Sequence, residues 1–198
     1  MRARVIVVAG PSGSGKTRLS ERLGLPVLRL DDFYRDGDDP ELPRRSTGLV
    51  DWDDPRAWDR ASACAAIATL CRDGRTDVPI YDIAADGRVG QRELDLGGSR
   101  YFVAEGIFAP EVVEECRTHG LLADAICVRH HRVVTFWRRL TRDLREHRKP
   151  PMVLLRRGLR LMRAEPAIVR RALDAGCVPA TPKQAERRVR ALLARPRK

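Results

Sequence analysis

The residues best suited to chemistry come early in this 198-residue chain, in the stretch GPSGSGKT at positions 10 to 17. Gly10, Gly15, Lys16 and Thr17 fit the spacing G-x-x-x-x-G-K-[ST], and the apolar run RVIVVA precedes them as a strand would. Glycines accept backbone conformations closed to other residues. The N–H groups of Ser12, Gly13, Ser14 and Gly15 can therefore turn inward on a phosphate, helped by the partial positive charge of the helix that follows. Lys16 then reaches the β- and γ-phosphates, and Thr17 offers a hydroxyl to Mg²⁺. The set predicts a site for ATP, or another nucleoside triphosphate, with its Mg²⁺.

Phosphoryl transfer also needs a carboxylate to take or orient the acceptor's proton, and positive charge on the transferring group. In a parallel sheet, ligands gather at the carboxyl ends of strands. Asp31 follows the apolar PVLRL and Glu105 follows YFVA, so both are expected to face the phosphate loop, as base or as groups toward Mg²⁺. Further on, Arg138, Arg142 and Arg145 share a helical face, with Arg139 beside Arg142 and Asp143 able to pair back to Arg139. Guanidinium groups so placed suit phosphates, a solvated helix face being the alternative.

The elements that must carry these groups alternate. Strands are expected over Arg4–Ala9, Pro26–Leu30, Tyr101–Ala104, Asp124–His130 and the short CVPA, with a small hairpin from VPIYDI and QRELDL. Helices are expected after the phosphate loop, from the Asp-Pro of DPRAWD to Gly74, over PEVVEECRTHG, over 133–147, 154–163 and 167–175, and after the Thr181 cap. Residues 35–50 are expected as an exposed loop, and Trp58, Ala61, Ala65 and either Ala68 or Leu70 as the apolar positions at helical spacing in the second helix. Such alternation predicts an α/β, three-layer fold, with a central parallel sheet of about five strands and helices on both faces. The whole, 1–198, reads as a single domain with an acceptor-side insertion at 32–98 and an Arg-rich lid at 133–150.

Composition narrows the class. Hydrophobic residues make up 43% of the chain, enough for a packed core, and no apolar run has the length of a membrane span or a secretory leader, so a cytoplasmic protein is expected. The five cysteines form no CxxC pair and read as reduced core residues. From Arg129 onward there are 21 Lys and Arg against 5 Asp and Glu; before it, 17 against 22. That basic last third suits phosphates, on a small nucleotide or on a polymer.

The segments LDDFY (30–34), DWDDPRAWD (51–59), PIYD (79–82), AEGIF (104–108) and RRLTRDLREHRK (138–149), in this order behind the phosphate loop, resemble uridine kinases. These are a branch of the phosphate-loop kinases that includes phosphoribulokinase and one class of pantothenate kinase. The resemblance implies that Asp31 is the general base for a sugar hydroxyl and that Tyr34, Trp52, Asp53 and Tyr81 contact a nucleoside. It implies also that Glu105 helps hold Mg²⁺ and that Arg139 and Arg142 close over ATP on a lid. Asp86 stands where the family has a histidine near the base.

On physical grounds, aromatic faces stack on bases and an aspartate can bind two ribose hydroxyls, although Trp52 and Trp58 could equally be core anchors. The leading reading is a kinase acting on a nucleoside such as uridine or cytidine. A second is the same chemistry on pantothenate or another hydroxylated metabolite. A third is an ATP-binding regulatory or nucleic-acid-associated module, in which Asp31 and Glu105 would be superfluous. A small-molecule acceptor, rather than nucleic acid or a membrane, is the expected partner, and a homo-oligomer stays open.

Overall fold

The structure, a computed structural model, describes residues 3–129 and 165–194. The helices expected over 133–147 and 154–163, and with them the lid, Arg139 and Arg142, lie outside the described residues. The chain divides into two compact units, Met1–Val7 with Leu25–Asp124 and Val8–Gly24 with Ala125–Lys198. Strand β1 (Arg4–Ala9) runs from one into the other. With β2 (Val27–Arg29), β5 (Tyr101–Glu105), β6 (Leu122–Val128) and β7 (Val178–Ala180) it forms a five-stranded parallel sheet in the order β2-β5-β1-β6-β7. The central place of β1 explains its composition: Val5, Ile6, Val7, Val8 and Ala9 are all fully buried, as a strand covered on both faces demands.

In the first unit, β2 and β5 pair in parallel with Leu28 opposite Ala104 and Arg29 opposite Glu105. The strand expected through Leu30 stops at Arg29, because Leu30–Phe33 tightens into a 3₁₀ turn. The helix expected to start at Asp54-Pro55 is two elements. Pro55–Ala57 forms a 3₁₀ turn capped by Asp54, and helix α2 (Arg60–Asp73) starts afresh with the Asp59 carboxylate accepting from the Ser62 N–H. Its buried stripe is Ala63, Ala66, Ile67, Leu70 and Cys71, so Ala61 and Ala65 point outward, against expectation. In a helix this rich in alanine, little in the residue types marks which face is buried.

Strands β3 (Arg75–Asp82) and β4 (Gly87–Asp95) make the expected hairpin, longer than its apolar segments suggested, with a bulge between Ile80 and Tyr81. Helix α3 (Val113–Thr118) follows a 3₁₀ turn over Ala109–Val112. The loop at 35–50 is exposed at half of its residues, with Leu42 buried and Arg44 bridging to Val50.

In the second unit, helix α1 (Lys16–Leu23) buries Leu19 and Leu23 and ends at Gly24, whose φ of 63° is a left-handed cap. Residues 165–174 are helical. The helix Pro182–Leu193 opens on a capping box: the Thr181 hydroxyl accepts from the Gln184 N–H while the Gln184 side chain accepts from the Thr181 N–H. All five cysteines stand as thiols, with Cys64 half-buried and Cys71, Cys116, Cys127 and Cys177 buried. Among the described residues, no helix is long and apolar enough to cross a membrane.

Candidate active site

The phosphate loop lies wholly in the second unit. Gly10 adopts a φ of 140°, and a Cβ there would fall 2.3 Å from the Val128 carbonyl oxygen, so the loop leaves β1 along a path only glycine can take. Gly13 and Gly15 have φ of 81° and 95°, and Gly15 caps α1 without a side-chain bond. The Lys16 ammonium folds back to donate to the carbonyls of Gly10 at 2.8 Å and Pro11 at 3.2 Å. The Ser14 hydroxyl is fully buried with no hydrogen-bond partner among the described residues. A buried polar group without a partner is costly, and a hydroxyl so placed suits a phosphate oxygen. Thr17, the first turn's other hydroxyl, is exposed.

The residues expected on the acceptor side all belong to the first unit, and the register of β2 on β5 brings Asp31 near Glu105: Asp31 follows Arg29 by two residues, and Arg29 lies opposite Glu105. The exposed Asp31 carboxylate accepts from the Ile107 N–H at 3.2 Å. Gly106 makes the approach possible, since a Cβ there would lie 2.8 Å from Asp31 Oδ1 and 2.9 Å from Leu30 Cβ. Glu105 is buried. Asp32 differs from its neighbour: burial holds its carboxyl above the usual range, against the pull of Arg29 and of Arg92, 3.9 Å away. The two adjacent aspartates therefore present one exposed carboxylate and one half-buried.

Tyr34, beside Asp31, anchors an aromatic wall. The ring of Tyr34 lies 5.7 Å, centroid to centroid, from each of Trp52, Tyr81 and Phe108, and its hydroxyl donates to the Trp52 carbonyl at 3.2 Å. Burial, with Asp31 and Asp53 beside it, pushes the Tyr34 phenol up. Burial, with Asp86 and Asp36, pushes Tyr81 up to about 12, so both stay neutral donors at physiological pH. Trp58 takes the core role: it is buried and its indole N–H donates to the Leu30 carbonyl at 2.7 Å.

Asp53 is exposed and ion-paired at 3.0 Å with Arg45, which also holds Asp51. Asp86 sits at the hairpin tip with a φ of 48°, and its carbonyl accepts from the Gly37 N–H at 2.6 Å. Sequence reasoning missed Arg45, Arg88 and the Ile107 N–H. Gly106, inside the AEGIF segment, was the one visible sign of a close approach.

Each unit carries hard oxygen donors of the kind Mg²⁺ takes, Thr17 in the second and Asp31 and Glu105 in the first, and this ion keeps several waters and takes few protein ligands beside the phosphates it joins. No group of three or more His, Cys, Asp or Glu among the described residues forms a metal cage, which that mode of binding does not require.

The chain is similar to known proteins over most of its length. The phosphoribulokinase / uridine kinase family model matches residues 5–149. A uridine kinase of Deinococcus deserti is 32% identical over 172 residues, which cover 82% of this chain and 79% of that protein. Inorganic pyrophosphatase TTM2 of Arabidopsis thaliana is 36% identical over 112 residues, 53% of this chain, which spans only 15% of that protein's length. The crystal structure of a proposed fructose transport system kinase from Silicibacter sp. TM1040 superposes with a TM-score of 0.60 at 21% identity, over 90% of this chain and 88% of that one, a likeness of fold. With its phosphate loop, its Asp31–Gly106–Ile107 junction and the family model spanning both, the chain belongs to the phosphoribulokinase / uridine kinase family.

Proposed function

We propose that the protein is a kinase that transfers the γ-phosphate of ATP, with Mg²⁺, to a hydroxyl of a nucleoside such as uridine or cytidine. The observation that carries this reading is the exposed Asp31 carboxylate, oriented by the Ile107 N–H and flanked by an aromatic wall. A carboxylate so held can take the proton of an acceptor hydroxyl as its oxygen attacks the γ-phosphorus and the bond to the β–γ bridging oxygen breaks, releasing ADP. Tyr34, Trp52 and Tyr81 offer faces for a base, and Asp53 offers two oxygens to a ribose diol. The phosphate loop, Ser14 and Lys16 bind the phosphates, and Arg139 and Arg142 supply further charge to them. Thr17 and Glu105 would offer oxygens to Mg²⁺, which when bound neutralises charge on the phosphates, and Asp31 is kept for the proton.

An ATP-consumption screen over nucleosides, pantothenate and sugar alcohols, with the product identified by mass, tests the reading. Uridine or cytidine monophosphate is the expected product. A phosphorylated pantothenate or sugar alcohol instead would move the acceptor class, and no turnover above background ATPase would overturn the kinase assignment. Asp31→Asn should lower kcat by about 10²–10⁴ while leaving ATP affinity near wild type.

A further inference from the structure

Arg88, which the mechanism above does not use, is tied to three separate parts of the acceptor side. Its backbone N–H donates to Asp36 Oδ1 at 2.7 Å, its Nε donates to the Tyr34 carbonyl at 3.2 Å, and its Nη2 donates to the carboxylate of Asp59, the cap of α2, also at 3.2 Å. Across the hairpin, Arg88 is the direct partner of Tyr81, just past the bulge between Ile80 and Tyr81. One residue therefore spans the two tyrosines whose rings stand 5.7 Å apart: it faces Tyr81 by register and holds Tyr34 by its carbonyl.

The surrounding backbone has no slack for another arrangement. The Gly37 N–H donates to the Asp86 carbonyl at 2.6 Å, and a Cβ on Gly37 would stand 2.9 Å from that oxygen. A Cβ on Gly87 would lie 3.3 Å from Asp36 Oδ1, and Asp86 takes a left-handed φ to close the tip. The Arg88 side chain is two-thirds covered, and its planar fork addresses two separate acceptors, the Tyr34 carbonyl and the Asp59 carboxylate.

We propose that Arg88 is a positioning residue for acceptor recognition, fastening the hairpin tip to the 34–37 segment so that Tyr34 and Tyr81 present one fixed aromatic surface. This rests on the kinase reading above, and it assigns to Arg88 an effect on the acceptor without an effect on the nucleotide.

Steady-state kinetics with uridine as the probe acceptor, on wild type, Arg88→Ala, Arg88→Lys and Gly37→Ala, test it, with thermal melts run in parallel. Losing hydrogen bonds to a charged group predicts a rise of about tenfold or more in acceptor KM for Arg88→Ala, exceeding any fall in kcat, with ATP KM near wild type. Arg88→Lys should fall between, and Gly37→Ala, which breaks the same clasp from the other side, should repeat the pattern. Acceptor and ATP KM rising together, or changing only in step with lowered melting temperatures, would overturn the positioning role in favour of a structural one. An active wild type whose acceptor KM is unmoved by Arg88→Ala also overturns it. A wild type that phosphorylates no acceptor overturns the kinase reading instead, and this assignment with it.

Discussion

The Asp31 carboxylate and the Ile107 N–H meet at 3.2 Å, and the residue before Ile107 is a glycine because no other side chain fits between them. A Cβ on Gly106 would press on Asp31 Oδ1 and Leu30 Cβ together, and the Leu30 Cβ cannot yield without moving the turn that carries Asp31. Gly106→Ala should therefore lose about 1–3 kcal/mol of stability, as overpacking does. It should also lose more turnover than ATP affinity. Urea denaturation and nucleotide titration of the same variant check both halves.

Lys16→Ala should leave the fold intact, because the ammonium is half-buried and its two bonds go to loop carbonyls rather than to the core. Removing a charged donor costs about 1.5–3 kcal/mol where it is used. ATP affinity measured by calorimetry should fall by about tenfold or more, with the melting temperature little changed.

Trp58→Phe keeps most of the ring but leaves the Leu30 carbonyl, one residue before Asp31, without its indole donor. A buried acceptor so stranded costs about 1–3 kcal/mol. Denaturant unfolding should show that loss, and near-ultraviolet circular dichroism should show a packed aromatic wall in both proteins.

The Asp59 carboxyl gives a pH dependence of known sign. Burial pushes it up, but the N–H and hydroxyl of Ser62 and the Arg88 guanidinium outweigh this and hold it below the usual carboxylate range. A carboxylate depressed in the folded state contributes stability that is present above its unfolded pKa and is lost as pH falls through the folded one. Asp59→Ala, which removes the α2 cap, should cost about 0.5–2 kcal/mol at pH 7. The gap to wild type should narrow as pH falls below about 4, the ordinary aspartate value, in melts recorded from pH 7 down to pH 2.5.

What could be read from the residues alone was whatever is decided locally. The phosphate loop, the Gly24 stop and the Thr181 cap depend on neighbours within a few positions, and each lies where its spacing predicts. The strands β1, β5 and β6 announced themselves by short apolar runs, and those runs are the buried part of each strand. The phase of α2 was misread because alanines on its two sides look alike to any periodicity. On the acceptor side the residue types were visible but not their partners: Arg45 on Asp53, Arg88 on Tyr34 and Ile107 on Asp31 join positions 8, 54 and 76 residues apart. Nothing in a linear pattern encodes which guanidinium will find which carbonyl once two loops close on each other.

The placement of the cysteines supplies a measuring device. Burial pushes the thiols of Cys71 and Cys116 up to about 11 and about 12, and Cys127 is likewise raised, so these sulfurs are protonated as well as covered. Alkylation of the native protein must wait for local opening, after the half-buried Cys64 has reacted. Cys71 and Cys116 belong to the first unit, Cys127 and Cys177 to the second, which holds the phosphate loop. Two modification rates, read by mass spectrometry on the unaltered chain, thus become two separate clocks, one ticking with the breathing of each unit.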